Sequence, residues 1–230
     1  MQSGSQMSTN DFPFIPYSRE SYSNEEMLER SISFYAWADQ RRSVRHFSDK
    51  AVDKAVMENI LMTASTAPSG AHKQPWTFCL ISNKALKAQL RNLAEEEEKK
   101  SYGGRMSKEW LEDLKPIGTD WVKEFIDVAP WIVVVMKRSY EMEEGGKKHQ
   151  NYYVSESVGL AAGFLLMAVH HAGLVALTHT PSPMNFIAKA LDRPDNEKPF
   201  LLIPVGHPAP DAEVPDLTRK SIDQVIHYYD

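Results

Sequence analysis

Apolar positions along the chain change period several times, and each change marks an element. From Ser23, with a glutamate at capping-box spacing in Glu26, the residues Met27, Leu28, Ile32, Phe34 and Tyr35 recur near helical spacing and predict a helix ending near Trp37. A basic turn, Arg41 to Phe47, follows. Asp53 then stands where it can cap a second helix whose apolar stripe is Val56, Ile60, Leu61 and Ala64, and Pro68 ends it in the loop APSGAHKQP. Trp76 to Ile81 is a short apolar run that reads as a buried strand.

Residues 84 to 127 keep helical character but are unusually polar, with the charge run Glu95 to Lys100 and the flexible pair Gly103-Gly104. This predicts a mobile, partly exposed insertion. Strand character returns at Trp131 to Met136. A charged loop around Gly145-Gly146 then leads into a helix over Ser155 to His171, a strand over 174 to 178, a short helix near Asn185 to Leu191 and a last strand over Phe200 to Gly206. Beyond Pro208, the prolines Pro210 and Pro215 among many charges predict an extended arm. Four apolar strands separated by helices predict an α/β or α+β domain around a sheet buried on both faces.

Composition narrows the classes. The 230 residues carry 26 Lys+Arg against 31 Asp+Glu, a net charge of −5, and 42% are hydrophobic, which is ordinary for a soluble globular chain. No overall basic field exists for nucleic acid or an anionic membrane, so any anion site is local. Cys79 is the single cysteine, which excludes an intrachain disulfide and a Cys-rich zinc site and fits a reducing compartment. Its apolar neighbours Phe78, Leu80 and Ile81 mark it as a buried small hydrophobe rather than a nucleophile. Met1 to Asn10 are Ser/Gln-rich, do not read as a signal peptide and are expected to be disordered. Val158 to Leu177 has the length of a membrane span, but His170, His171 and Gly173 divide it into a helix, a break and a strand. No HExxH, GxSxG, Walker or GxGxxG pattern occurs, and the adjacent His170 and His171 diverge on a helix, so no metal site is expected.

Three groups of residues carry candidate chemistry. Arg41, Arg42 and Arg45 crowd one turn, where a phosphate would relieve their repulsion; a solvated basic turn explains the charge equally well. The loop Pro68-Ser69-Gly70-Ala71-His72 offers a hydroxyl and free backbone N–H groups to a planar ligand, although Pro-Ser-Gly is also a common turn. Glu98 and Tyr102 share one helix face and Lys123 follows on the next segment; a carboxylate, a phenol and an ammonium can grip an amino-acid zwitterion, or simply form a solvated face.

Together, RRSVRHF (41 to 47), TAPSGAHKQPW (66 to 76), EEEEKKSY (95 to 102), TDWVKEF (119 to 125), LTHTP (177 to 181) and VPDLTRK (214 to 220) make the chain resemble the iodotyrosine deiodinase branch of the flavin nitroreductase superfamily, over roughly residues 35 to 225. The arginine turn is common to the superfamily, whereas Glu98, Tyr102 and Lys123 mark the branch. The resemblance implies an α+β nitroreductase-like mixed sheet flanked by helices, in a domain-swapped homodimer with FMN sites built from both subunits. It implies an N-terminal segment over 1 to 22, a domain over 23 to 207 with a helical lid at about 95 to 125, and a C-terminal arm over 208 to 230 that reaches the partner.

Carried over by position, Arg41, Arg42, Ser43, Arg45, Ser69, Thr178, His179, Thr180 and Arg219 would hold FMN, with the Thr180 hydroxyl near flavin N5 favouring one-electron steps. The Ala71 N–H would hold the substrate phenolate, while Glu98, Tyr102 and Lys123 grip the zwitterion and close as a lid hinged at Gly103-Gly104. The implied reaction is reductive dehalogenation of halotyrosines, with electrons ultimately from NAD(P)H through a separate reductase. Animal members look membrane-anchored and this chain carries no anchor, so a soluble, cytoplasmic protein is expected. Three alternatives stand beside this reading: a general nitroreductase or quinone reductase, a non-catalytic flavin-binding electron carrier, and a structural interaction protein, which a colourless purified protein would support. The residues of the zwitterion grip and its insertion argue against the first two.

Overall fold

The structure, a computed structural model, describes residues 12–229. The disorder expected at Met1 to Asn10 lies outside the described residues. Two compact units meet in sequence between Gln40 and Arg41. The first contains helix α1 (Asn24–Asp39), whose start is fixed as its sequence predicts: the Ser23 side chain accepts from the Glu26 N–H and the Glu26 carboxylate accepts from the Ser23 N–H. Residues 12–21 before it are exposed and irregular.

The second unit is built on a four-stranded sheet. In chain order its elements are α2 (Lys54–Ser65), β1 (Trp76–Ile81), α3 (Lys84–Lys100), α4 (Lys108–Leu114), α5 (Phe125–Val128), β2 (Trp131–Arg138), β3 (Tyr140–Met142), β4 (Lys148–Gln150), α6 (Val154–His171), β5 (Val175–Ala176), α7 (Asn185–Ala190), β6 (Glu197–Gly206) and α8 (Ile222–Val225). The order β1-β2-β6-β5 is antiparallel throughout, and a bridge from Ser43 to Ala176 adds the parallel contact that makes the sheet mixed. The fold is α+β.

The continuous apolar run of β2 is explained by burial on both faces. Val133 and Val135 point to one layer with α2 and α6, packing with Met57, Ile60, Val158 and Leu165. Ile132, Val134 and Met136 point to the other, where Leu90 of α3, Ile126 of α5 and Ile187 of α7 cover them. Edge strand β1 is only half-buried at its centre, and Cys79 with it, so the thiol is less enclosed than expected. Burial still pushes that thiol's pKa up, which keeps it protonated and poorly nucleophilic.

Several expectations are corrected in detail. Asp53 occupies the N-cap position of α2 without making a side-chain cap bond, and Val56 lies on the exposed face while Met57 takes its place in the core. The charged loop at Gly145 forms the β3–β4 hairpin, because Gly145 and Gly146 supply the positive φ values its turn needs. β5 is only two residues long, although pairing resumes at His179, whose N–H and C=O both bond to Leu202 at 2.9 Å. Among the described residues, α6 is the one helix long and apolar enough to cross a membrane. Its inner face lies in the core and it ends at Gly173 (φ 74°), as the sequence break predicts.

Candidate functional site

The basic turn and the C-terminal segment form one cavity. Arg41, Arg42, Ser43 and Arg45 line a space of about 230 Å³ together with Ile117 of the polar insertion and Pro215, Thr218 and Arg219. The segment is tied down by its neighbours: Arg42 donates to the Pro215 carbonyl, and Arg219 Nη2 donates to the Arg41 carbonyl at 2.9 Å. No carboxylate lines this cavity. Burial, reinforced by the charges of Arg219 and Arg42, holds the Arg41 guanidinium below its usual pKa, and burial does the same to Arg45. Half-buried cations crowded around a space without an acid fit a doubly charged phosphate.

Beside this cavity, α3 and the segment leading into α5 bring together the second group. Glu98 Oε2 and Lys123 Nζ are 3.7 Å apart with side chains 10% and 4% exposed. Burial pushes the Glu98 carboxyl up and the Lys123 ammonium down, each partly offset by the other's charge. The Lys123 ammonium also donates to the Asp120 carbonyl and stands 5.9 Å from the centre of the Tyr102 ring. Tyr102 lies beyond α3 in a π-type turn, Ser101–Arg105, and its hydroxyl donates to the Thr119 carbonyl at 3.1 Å. The turn closes because Gly104 takes φ 149°. Behind it, the buried Lys87 donates to the carbonyls of Asp127 and Ala129, capping the end of α5 against α3. The insertion is therefore folded, with its inner face buried and its charges on the outer face.

Ser69 and Ala71 lie elsewhere. Their loop is held by the start of α6: the Gly70 N–H donates to Ser157 Oγ at 3.3 Å, and a Cβ on Gly70 would stand 2.8 Å from the Tyr153 ring. Ser69 Oγ accepts from the Gln74 N–H at 2.9 Å. Ala71, His72 and Gln74 all take positive φ, near 50°, a cost accepted where a loop must present its backbone in one way. Lys73 Nζ meets His149 Nε2 at 3.0 Å, and His149 Nδ1 meets the Glu143 carboxylate at 2.6 Å, so the unforeseen hairpin braces this loop.

The extended backbone after β5 alternates sides. Thr178 and Thr180 are exposed, while His179 between them is buried, edge-on to Phe125 at 5.4 Å, with Nε2 left without a partner. Burial, with Lys123 and Arg45 nearby, lowers its pKa to about 3, so it is neutral.

The fold thus unites Arg41, Arg42, Ser43, Arg45 and Arg219 in one cavity and Glu98, Tyr102 and Lys123 in a second cluster close to Arg45 and His179. The Ser69–Ala71 loop is bonded to α6 rather than to either. Ile117, Pro215 and Thr218 went unforeseen at the arginine cavity. The apolar Ile117 within a polar segment and the sequence around Arg219 were their only signals. On its outer face α6 carries a shallow apolar groove lined by Gly159, Leu160, Gly163 and Phe164, with Arg41 at its rim.

This architecture and its arginine turn define a class: residues 38–207 match the nitroreductase family, and the chain belongs to it. Within that family it is 58% identical to an iodotyrosine deiodinase of Haliscomenobacter hydrossis over 216 residues, 94% of this chain and 97% of the relative. It is 42% identical to human iodotyrosine deiodinase 1 over 222 residues, 96% of this chain and 77% of that one. Among solved structures, an oxidised iodotyrosine deiodinase bound to FMN and 3-iodo-L-tyrosine superposes with a TM-score of 0.73 at 29% identity, covering 85% of this chain and 98% of that one.

Proposed function

We propose that this protein is an FMN-dependent reductive dehalogenase that converts halotyrosines, 3-iodotyrosine and 3,5-diiodotyrosine first and bromo- and chlorotyrosine after them, to tyrosine and halide. The observation that carries this reading is the buried Glu98–Lys123 pair with Tyr102 beside an acid-free arginine cavity, in a chain whose relatives are iodotyrosine deiodinases.

FMN held in the arginine cavity would, when reduced, supply the two electrons, and a proton from solvent would replace the halogen, which leaves as halide. Arg41, Arg42, Arg45 and Arg219 hold its phosphate with guanidinium forks, and Ser43 completes the cradle. Thr178 and Thr180 present hydroxyls from the exposed side of their segment, anchored by the paired His179 backbone. Thr180 is the hydroxyl that would face the flavin ring and favour one-electron chemistry there. The substrate ammonium takes the place of Lys123 on Glu98, and its carboxylate takes the place of Glu98 on Lys123. An ion pair that is already desolvated is exchanged for another, so the zwitterion need not open a dry site. Tyr102 and the lid exclude water from the ring. The Ala71 N–H, fixed by its left-handed backbone, donates to the substrate phenolate. That preference for an ionised phenol selects rings whose pKa is lowered by an ortho halogen.

We also propose a homodimer whose FMN sites draw on both subunits. A cavity of about 230 Å³ has room for the phosphate end of a cofactor but falls below the roughly 300–1,000 Å³ of a complete ligand pocket. The Ser69–Ala71 loop then comes from the second copy, and the α6 groove is the surface it covers. NAD(P)H is the ultimate electron source through a separate reductase, and the lone free thiol fits a cytoplasmic setting.

The test is a titration of bound flavin fluorescence with 3-iodotyrosine, against tyrosine and nitrobenzene. Tight quenching by iodotyrosine and weak quenching by tyrosine is the expected result. Bound flavin without an iodotyrosine response would leave a general nitroreductase, and a colourless protein would overturn the cofactor.

A further inference from the structure

Four successive glutamates, Glu95 to Glu98, stand near the end of α3, before Lys99 and Lys100, and look in sequence like one solvated charge run. Each has a different task in the fold. Glu96 is exposed. Glu97 bonds Lys100 at 2.6 Å and Arg105 at 2.7 Å, closing over the turn that carries Tyr102. Glu98 faces the Lys123 ammonium. Glu95 bonds the same lysine at its other end: Oε1 accepts from the Lys123 backbone N–H at 2.9 Å and from Arg91 Nε at 2.7 Å.

Arg91, one turn earlier on the same helix face, also donates to the Asp127 carboxylate at 2.8 Å. Glu95, Arg91 and Asp127 therefore form a chain of charge-assisted bonds from α3 to α5, with Lys123 between them in residues that belong to no helix or strand. Burial alone would push the Glu95 carboxyl up, but the Lys123 N–H and the Arg91 guanidinium together hold it below the usual carboxylate range.

We infer that Glu95, oriented by Arg91, is a positioning residue for halotyrosine binding: it fixes the main chain of Lys123 so that the ammonium stands opposite Glu98. The inference rests on the zwitterion grip proposed above. Its physical basis is the flexibility of lysine. A four-carbon stem on an unanchored segment lets the ammonium return to water, which burial favours, and the buried carboxylate is then left alone. Two carboxylates three positions apart on one helix, one on the backbone and one on the side chain, remove that freedom.

The test is made on the FMN-loaded protein, reading 3-iodotyrosine affinity by flavin quenching, flavin retention, and hydrogen exchange of the Lys123 amide. Glu95→Ala is expected to raise Kd about tenfold and accelerate exchange at Lys123, with flavin retained. Glu95→Gln, which keeps an acceptor oxygen, is expected to stay within about threefold of the parent. In a Lys123→Ala background, Glu95→Ala is expected to add less than about twofold, because no ammonium remains to position. If Glu95→Ala does not fold, Glu95→Asp, one methylene short of the amide, is expected to give the same loss.

An unchanged Kd in Glu95→Ala, or full additivity with Lys123→Ala, overturns the assignment. If Lys123→Ala itself leaves affinity unchanged, the zwitterion grip falls and this inference with it. If Lys123→Ala weakens binding and Glu95→Ala does not, only the role of Glu95 falls.

Discussion

Glu98 and Lys123 oppose each other at 3.7 Å with almost no solvent access, although they lie in a segment whose composition is among the most polar in the chain. Removing either partner leaves a buried charge without compensation. Glu98→Gln and Lys123→Gln are each expected to weaken halotyrosine binding by about 2 kcal/mol, with FMN still bound. Combining the two is expected to recover part of any thermal stability lost in the single variants while leaving affinity low. Flavin quenching and thermal melts read the two effects separately, and unchanged affinity in both single variants would refute the grip.

Thr180 is exposed beside a backbone locked by the His179–Leu202 bonds, so its hydroxyl can be removed without disturbing the sheet. Thr180→Ala is expected to shift activity from dehalogenation toward two-electron reductions such as nitro reduction. The ratio of iodide release to nitrobenzene consumption measures this, and an unchanged ratio would count against the assignment.

His179 sets a pH dependence. Its folded pKa of about 3 lies below the ordinary 6.5, so above pH 6.5 both states are neutral and stability is undiminished. As pH falls from 6.5 toward 3, the unfolded chain takes up a proton that the folded chain refuses, and stability declines. Between pH 7 and 5 the expected contribution is about 2 kcal/mol, read by urea unfolding, and His179→Leu is expected to flatten that slope.

The loop at 69–74 offers a contrast between neighbours. Gly70→Ala would place a methyl 2.8 Å from the Tyr153 ring and 3.0 Å from the Tyr152 carbonyl, so it is expected to destabilise by about 1–3 kcal/mol. At Ala71, with φ 49°, a glycine relieves left-handed strain but gains freedom in the unfolded chain. Ala71→Gly is therefore expected to change stability by less than about 1 kcal/mol. Urea unfolding of the two variants tests the contrast, and a larger loss at Ala71→Gly than at Gly70→Ala would overturn it.

What could be read from sequence divides along physical lines. Strand β1, the capping box of α1 and the break at Gly173 were legible because periodicity, capping and glycine act locally. The arginine turn and the Glu98, Tyr102 and Lys123 set were legible as groups, yet their meeting depends on a turn at Gly104 and on the capping of α5 by Lys87, which are tertiary facts. The hairpin at 140–150 was missed because its strands are short and polar and carry no apolar alternation, while Lys73, which braces it through His149, lies 76 residues away in the chain. Val56 was misplaced by one position because helix face is set by the partner surface, where Met57 fits and Val56 does not.

Arg41 borders two spaces at once, the arginine cavity and the apolar groove along α6. One side chain cannot be arranged independently for both. Whatever occupies the groove and whatever anion sits among the guanidiniums therefore share a common variable, and thermodynamic reciprocity requires that each alter the other's affinity by the same factor. For a second copy of the chain on the groove, dilution and cofactor loss become a single equilibrium observed from two sides.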